Sequence, residues 1–152
     1  MSEPAPPETK TDAKTDSKTT EKKEKPDPVD ALVTTHHMLR TRRRELAYTA
    51  RTGRVVLREE EVEDDVFKGW KARAEMSVTA YTLDGADLTT RPITFVFNGG
   101  PGSSSLWLHM GLLGPRRVDL SDVTAPHPPP YRLVDNAETL LAVSDLVFID
   151  PM

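Results

Sequence analysis

The sequence predicts an α/β fold whose sheet begins with antiparallel strands and continues as strand, glycine loop, helix and strand. Residues 72–80 alternate apolar and polar side chains, as expected for a half-buried strand. An apolar β-type run at 93–97 leads directly into Asn-Gly-Gly-Pro-Gly-Ser-Ser-Ser at 98–105. A continuous apolar run at 146–149 is typical of a strand buried on both faces, and we expect it to form an exposed edge of the sheet.

The first 29 residues are predicted to be a disordered tail. Residues 1–28 contain six Lys, seven Asp or Glu, five Pro and almost no apolar side chain. Such a segment cannot bury enough apolar surface to offset the entropy lost on ordering. The expected organisation is therefore a tail at 1–29 followed by one folded unit at 30–152.

The folded unit begins with less distinct patterns. Residues 31–40 are ambiguous, and a short helix is expected there. Strand-like runs at 46–50 and 55–58 flank Arg-Thr-Gly-Arg at 51–54, which favours a hairpin with the glycine in its turn. The acidic residues 59–65 are expected to form a loop or the end of a strand.

Two helices are predicted after the glycine loop. The first is expected at 106–113, with the serines at 103–105 as candidates for its N-cap. We interpret these serines as cap and loop residues and not as nucleophiles, because no Gly-x-Ser-x-Gly elbow surrounds them. A second, short helix is expected at 138–143, with Asp135 or Asn136 as its cap.

The glycine loop is the most specific feature of the chain. Gly99, Gly100 and Gly102 permit positive φ and close approach of the backbone to a ligand, while Pro101 stiffens the loop. A strand that breaks into such a loop before a helix presents N–H groups that can hold negative charge on a carboxylate, a phosphate or a reacting carbonyl oxygen. An ordinary strand-to-helix turn is the alternative. A nucleotide phosphate loop does not fit, because neither Gly-Lys-Ser/Thr nor Gly-x-Gly-x-x-Gly is present.

Residues 98–105 resemble the Asn-Gly-Gly-Pro-Gly-Cys/Ser-Ser-Ser signature of the serine carboxypeptidases, which are α/β-hydrolases. Gly114 and Pro115 follow where that family has a Gly-Pro pair, and residues 145–151 resemble its next strand and the Asp that ends it. The resemblance implies the N-terminal part of an α/β-hydrolase sheet and no cofactor. It also implies that the catalytic Ser, Asp and His lie beyond Met152, in a longer enzyme.

The resemblance assigns roles to three loop residues. The backbone N–H of Gly100 would be one oxyanion-hole donor, while the side chain of Asn98 and the backbone of Gly99 would hold the C-terminal carboxylate of a peptide. Judged without the resemblance, Asn98 would bond only to its own loop backbone, as Asn often does in turns. The sequence departs from the family at Val96 and Leu112, where the family often has Trp and Glu.

The expected function is that of part of a serine-type carboxypeptidase, which hydrolyses C-terminal peptide bonds through an acyl-enzyme. Two alternatives stay open: an esterase on the α/β-hydrolase fold, and a non-catalytic module whose glycine loop captures an anion. The expected partner is a peptide with a free C-terminus.

Composition argues against other partners. A net charge of −4 gives no electrostatic reason to expect nucleic acid, and no apolar stretch approaches the ~20 residues of a membrane span. No secretory signal is visible and there is no Cys, so a cytoplasmic location is expected. No metal site is expected, because the adjacent His36 and His37 diverge and have no further ligand at suitable spacing.

Three other side chains are given structural interpretations. Trp107 is expected to pack in the core, and His109 is expected at the helix surface or in a cleft. By the resemblance, Asp150 is a structural residue at the end of its strand.

Overall fold

Residues next to the predicted boundary at 29/30 make contacts with a later part of the chain. The computed structural model describes residues 26–100, 102–119 and 128–150, so residues 1–25 of the predicted tail lie outside the described part. Arg58 Nη1 donates to Asp27 Oδ2 at 2.7 Å, and the Val56 amide donates to Asp30 Oδ1 at 2.8 Å. Asp27, which belongs to the segment predicted to be disordered, therefore contacts the folded unit.

Seven strands are present among the described residues, in two sheets. They are β1 (Ala31–Arg40), β2 (Glu45–Glu63), β3 (Val66–Leu83), β4 (Ile93–Val96), β5 (Arg116–Val118), β6 (Leu133–Asp135) and β7 (Asp145–Asp150). The main sheet has the order β1-β2-β3-β7-β4, and β5 pairs with β6. Neighbours in the main sheet are antiparallel except for the parallel pair β4–β7. The chain is thus a mixed sheet with few helices, which confirms the coarse α/β prediction.

β1 replaces the helix expected at 31–40. Its sequence includes the β-branched residues Val33, Thr34 and Thr35, which pack well on a pleated surface. All ten residues pair with β2. Pairing with a neighbouring strand therefore decides the structure of a segment whose local pattern was ambiguous.

The hairpin expected at 51–54 is wrong, because β2 runs through these residues without turning. Gly53 lies opposite β1, and a Cβ at this position would collide with the carbonyl oxygen of Ala31. The glycine therefore permits the close approach of β1. The chain reverses instead at Asp64 and Asp65, whose φ angles of 52° and 61° are those of a type I′ turn.

β2 and β3 extend beyond the other strands as a two-stranded ribbon, formed by residues 55–63 and 66–76. β1 pairs with β2 only as far as Arg54, and β7 reaches β3 only as far as Ser77. The acidic residues 59–65 form the end of β2 and its turn, which confirms the expected strand end. Ion pairs at 2.7 Å link the two strands: Lys71 with Glu61 and Arg73 with Glu59.

The core lies between one face of the main sheet and the helical segments. Its buried members are Leu39, Leu46, Tyr48, Ala50, Val96, Leu141, Leu146 and Phe148. On the other face of β4, Ile93 and Phe95 are 59% and 60% exposed, and Phe97, directly after the strand, is 62% exposed. β7 has β3 on one side and β4 on the other, so the exposed edge expected at 146–149 is wrong, and β4 and β1 form the two edges of the main sheet.

The helix expected at 106–113 is confirmed in position but differs in geometry. It consists of one α-helical turn, α1 (Leu106–Leu108), which continues as a π-helical segment at His109–Leu113. The π-helical segment ends at Gly114, whose N–H donates to His109 O at 3.0 Å.

The second predicted helix is a single 3-10 turn, Leu140–Ala142, with a different cap from the one expected. Thr139 Oγ1 accepts from the Leu141 amide at 3.3 Å. Asn136, one of the two expected caps, is buried and uses its Nδ2 to donate to Leu112 O and Gly114 O, both at 2.8 Å.

Gly114 is expected to tolerate no side chain. A Cβ there would collide with His109 O and lie 2.9 Å from His109 Cδ2. We expect Gly114→Ala to lower the free energy of unfolding by about 1–3 kcal/mol, the usual cost of overpacking. Gly111→Ala is the matched control, because a Cβ at Gly111 meets no atom within 4 Å and alanine favours helical structure over glycine. Denaturant unfolding measures both variants, and equal stability would contradict the prediction.

Candidate functional site

The glycine loop lies at the carboxyl end of two parallel strands. It follows β4, and the parallel neighbour β7 ends beside it at Asp150. In α/β sheets, ligands bind in the crevice outside the carboxyl ends of parallel strands. The topology therefore places the loop where such sheets bind ligands.

Two of the three glycines of the loop adopt the positive φ that their residue type permits. The φ angles of Gly100 and Gly102 are 84° and 74°, a region that favours glycine, whereas Gly99 is not among the residues with positive φ. Added Cβ atoms at these positions would meet nothing within 4 Å. The loop surface is thus open to solvent, and Pro101 lies outside the described residues.

The backbone amides of Gly99 and Gly100 are available to a ligand. Neither amide has a hydrogen-bond partner within the described part of the chain, and both residues are exposed. By contrast, the Ser103 amide donates to Gly100 O at 3.2 Å and the Leu106 amide donates to Ser104 Oγ at 3.2 Å. Among the described residues, the Gly99 and Gly100 amides are therefore unpaired donors at the start of the loop.

Asn98 closes the loop. Its Nδ2 donates to Ser104 O at 2.6 Å. This is a bond to its own loop backbone, the role expected for Asn98 when the family resemblance is left aside. A side-chain amide carries two N–H donors, so this bond uses only half of the donor capacity of Asn98. The role of Asn98 toward a substrate carboxylate stays a prediction.

Asp150 connects β7 to the far end of the loop. Its Oδ1 accepts from Ser105 N and Ser105 Oγ, both at 2.6 Å, and from Ser104 Oγ at 3.2 Å. Partial burial acts to raise the pKa of Asp150, but these hydrogen bonds and the nearby His109 hold that pKa below its usual range. Asp150 is therefore ionised at neutral pH, and its contacts agree with the structural role expected for it.

Ser104 and Ser105 have different roles, which the sequence did not predict. Ser104 Oγ accepts from the Leu106 amide, whereas the hydroxyl of Ser105 donates to Asp150 and caps no amide. An Asp directly after an apolar strand was the only available signal for this contact. The contact could be predicted from this signal only if the pairing of β4 with β7 were known, and the local sequence does not contain that pairing.

His109 lies against the sheet. Its ring stacks on Phe148 with centroids 4.3 Å apart, and its Nε2 is 2.6 Å from the Tyr81 hydroxyl. Burial raises the pKa of Tyr81 to about 12, so Tyr81 stays protonated at neutral pH. Burial also lowers the pKa of His109 below its usual range, against the opposing effect of Asp150. His109 is thus a neutral, inward-facing residue.

Acid is expected to destabilise the fold through His109. Because its pKa is lower in the folded state, the unfolded chain takes up the proton first. The stabilisation is fully present above the unfolded pKa of about 6.5 and is lost as pH falls from there toward the lowered value. We expect His109→Gln to reduce the loss of unfolding free energy between pH 7.5 and 5.5 relative to the wild type. The same pH dependence in His109→Gln and in the wild type would contradict this.

Trp107 is not in the core, contrary to expectation. Its side chain is 78% exposed. α1 has only one turn, and its inward contacts are made by Leu108, which packs against the core, and by the buried Ser105. A three-residue helix has no second inward position for the Trp ring.

None of the helices in residues 26–100, 102–119 and 128–150 combines the length and apolar composition that a bilayer-spanning helix requires.

Comparisons with known proteins provide no further assignment. No protein-family model matches the chain, and neither curated proteins nor solved structures gave a significant match. The resemblance of residues 98–105 to the serine carboxypeptidases therefore stays a sequence-based prediction, and the geometry of the glycine loop is what bears on function.

Proposed function

We propose that this chain is part of a serine-type carboxypeptidase with the α/β-hydrolase fold. The observation that carries the proposal is the pair of exposed amides at Gly99 and Gly100, which have no hydrogen-bond partner among the described residues and lie at the carboxyl end of the parallel strands. In α/β-hydrolases, one oxyanion donor comes from a loop between a sheet strand and the first helix. The loop between β4 and α1 has the same position in the order of elements.

The chemistry follows from the proposed assignment. A serine activated by His and Asp, on a part of the polypeptide outside these 152 residues, attacks the carbonyl carbon of the last peptide bond. The carbonyl oxygen becomes negative, and the Gly100 N–H donates to it. The C–N bond then breaks, the amine leaves with a proton from His, and water hydrolyses the acyl-enzyme.

Recognition of a free C-terminus is assigned to Asn98 and Gly99. The second N–H of Asn98 Nδ2 can donate to the substrate carboxylate while the first remains bonded to Ser104 O. The loop-shaping contact and the substrate role are therefore compatible.

Replacing Asn98 tests this recognition. We expect Asn98→Ala to lower kcat/KM for a blocked dipeptide with a free carboxylate, relative to its amide, by about 10- to 100-fold, because a hydrogen bond to a charged group is lost. The measurement uses the full-length polypeptide. The amide substrate is the internal control, since any distortion of the loop affects both substrates.

Two results with the full-length polypeptide would favour the esterase or the non-catalytic module over a carboxypeptidase. An unchanged ratio in an active enzyme would favour an esterase, in which Asn98 only shapes the loop. Anion binding without any hydrolysis in the full-length polypeptide would favour a non-catalytic module.

A further inference from the structure

The glycine loop is attached to the sheet at both ends, and Asp150 makes the second attachment. At its start the loop continues directly from β4. At its end, the Asp150 carboxylate accepts three hydrogen bonds from Ser104 and Ser105. Ser105 is 3% exposed, so its two bonds to Asp150 are shielded from water and correspondingly strong.

Between these ends the loop has little internal support. Among its described residues, the hydrogen bonds that cross it are Asn98 Nδ2 to Ser104 O, at 2.6 Å, and Ser103 N to Gly100 O, at 3.2 Å. Ser104 is thus held from two sides, its carbonyl by Asn98 and its hydroxyl by Asp150. Any displacement of Ser104 would therefore be transmitted to the neighbouring Gly100 turn.

We infer that Asp150 is a positioning residue for the glycine loop, whose carboxylate holds Ser104 and Ser105 so that the exposed Gly99 and Gly100 amides keep their orientation. Its effect on the loop follows from the contacts alone. Its effect on catalysis rests on the proposed function.

Both the shape and the negative charge of the Asp150 carboxylate contribute to holding the loop. Three donors converge on one oxygen, Oδ1, and hydrogen bonds to an ionised acceptor are about twice as strong as neutral ones. The carbonyl oxygen of an asparagine can take the place of Oδ1 but carries no full charge. Asp150→Asn should therefore give an effect between those of the wild type and Asp150→Ala.

Hydrogen exchange measures the attachment directly. In the full-length polypeptide, we expect Asp150→Ala to speed amide exchange in the segment containing Ser105 and Leu106 by about 10- to 100-fold, with a smaller increase in Asp150→Asn. The amides of β3 should be unchanged, which also verifies folding. Unchanged exchange around Ser105 in both variants would overturn the inference.

Asp87 provides the matched control. Its carboxylate accepts from Thr89 N at 3.0 Å, Thr89 Oγ1 at 2.7 Å and Thr90 Oγ1 at 3.2 Å, the same three types of donor, and makes no hydrogen bond to the described loop residues. Asp87→Ala should speed exchange around Thr89 and leave Ser105 unchanged.

Kinetics separate positioning from a general loss of structure. Because the Gly100 donor acts on charge that develops in the transition state, Asp150→Ala should lower kcat about tenfold or more with little change in KM, and Asp87→Ala should change neither. Faster loop exchange in a polypeptide without carboxypeptidase activity would leave the role of Asp150 intact and reject the proposed function. Equal kinetics in the Asp150 and Asp87 variants of an active enzyme would reject the catalytic role of Asp150.

Discussion

Asp145→Ala is expected to lower the free energy of unfolding by about 3–5 kcal/mol, the usual cost of breaking a buried ion pair by removing one partner. The side chains of Arg91 and Asp145 are 10% and 6% exposed, and Arg91 Nε donates to Asp145 Oδ1 at 2.6 Å. The same oxygen accepts from the Leu83 amide at 3.0 Å, while Arg91 Nη2 donates to Leu141 O at 2.5 Å. Truncating Asp145 removes the carboxylate that pairs with the Arg91 guanidinium and leaves the Leu83 amide without its acceptor, while Leu141 O still accepts from Arg91 Nη2.

The comparison with an exposed ion pair makes this test specific. Arg54 and Glu75 form a bridge at 2.9 Å in which the side chains are 53% and 40% exposed. We expect Glu75→Ala to cost less than about 1 kcal/mol, because solvent screens such pairs. Denaturant midpoints of both variants provide the measurement. A loss of less than about 1 kcal/mol for Asp145→Ala would show that the pair is not a determinant of stability.

Gly100→Ala is expected to lower kcat of the proposed enzyme by about 10²–10³-fold, the effect of losing one oxyanion donor. Packing is not the cause, because a Cβ at Gly100 meets nothing within 4 Å. The cause is the φ angle of 84°, which an alanine adopts only with strain. Relief of that strain rotates the N–H away from the position that the oxyanion would occupy.

Gly102→Ala is the control for strain alone. Gly102 has a φ of 74° and the same open surroundings, but its amide has no role in the proposed mechanism. We expect Gly102→Ala to destabilise the loop by an amount similar to Gly100→Ala, with a much smaller loss of kcat. If kcat falls equally in the two variants, the Gly100 amide is not a specific donor.

Local pattern predicted the elements whose signal is contained in a few residues. The strand before the glycine loop, the last apolar strand, the alternating strand at 72–80 and the position of the helix at 106–113 are all found. β1 and the uninterrupted path of β2 were not predicted. Both depend on the pairing of β1 with β2. Gly53 was interpreted as a turn residue, but its lack of a side chain instead allows β1 to approach closely.

In the site as well, features that depend on a few adjacent residues could be predicted, and contacts between distant residues could not. The positive φ angles of Gly100 and Gly102 use a freedom that their residue type permits, whereas Gly99 does not adopt a positive φ. The contacts of Asp150 with Ser105 and of Arg91 with Asp145 join residues 45 and 54 positions apart. Only the order of strands in the sheet brings these pairs together, and no local pattern contains that order.

The position of β7 between β3 and β4 has a consequence for how the chain folds. β1, β2 and β3 are consecutive and antiparallel, so each can pair with the previous strand as soon as it exists. β4 has no partner among the described strands other than β7, which follows it by about 50 residues; Thr94 and Ser144, which bond across this pair, are 50 positions apart. Loop closure of this length precedes any favourable contact of β4, so assembly of the parallel pair is expected to be the slow step of folding. The surface that carries the glycine loop is then completed last, only after residues 145–150 have taken their place in the sheet.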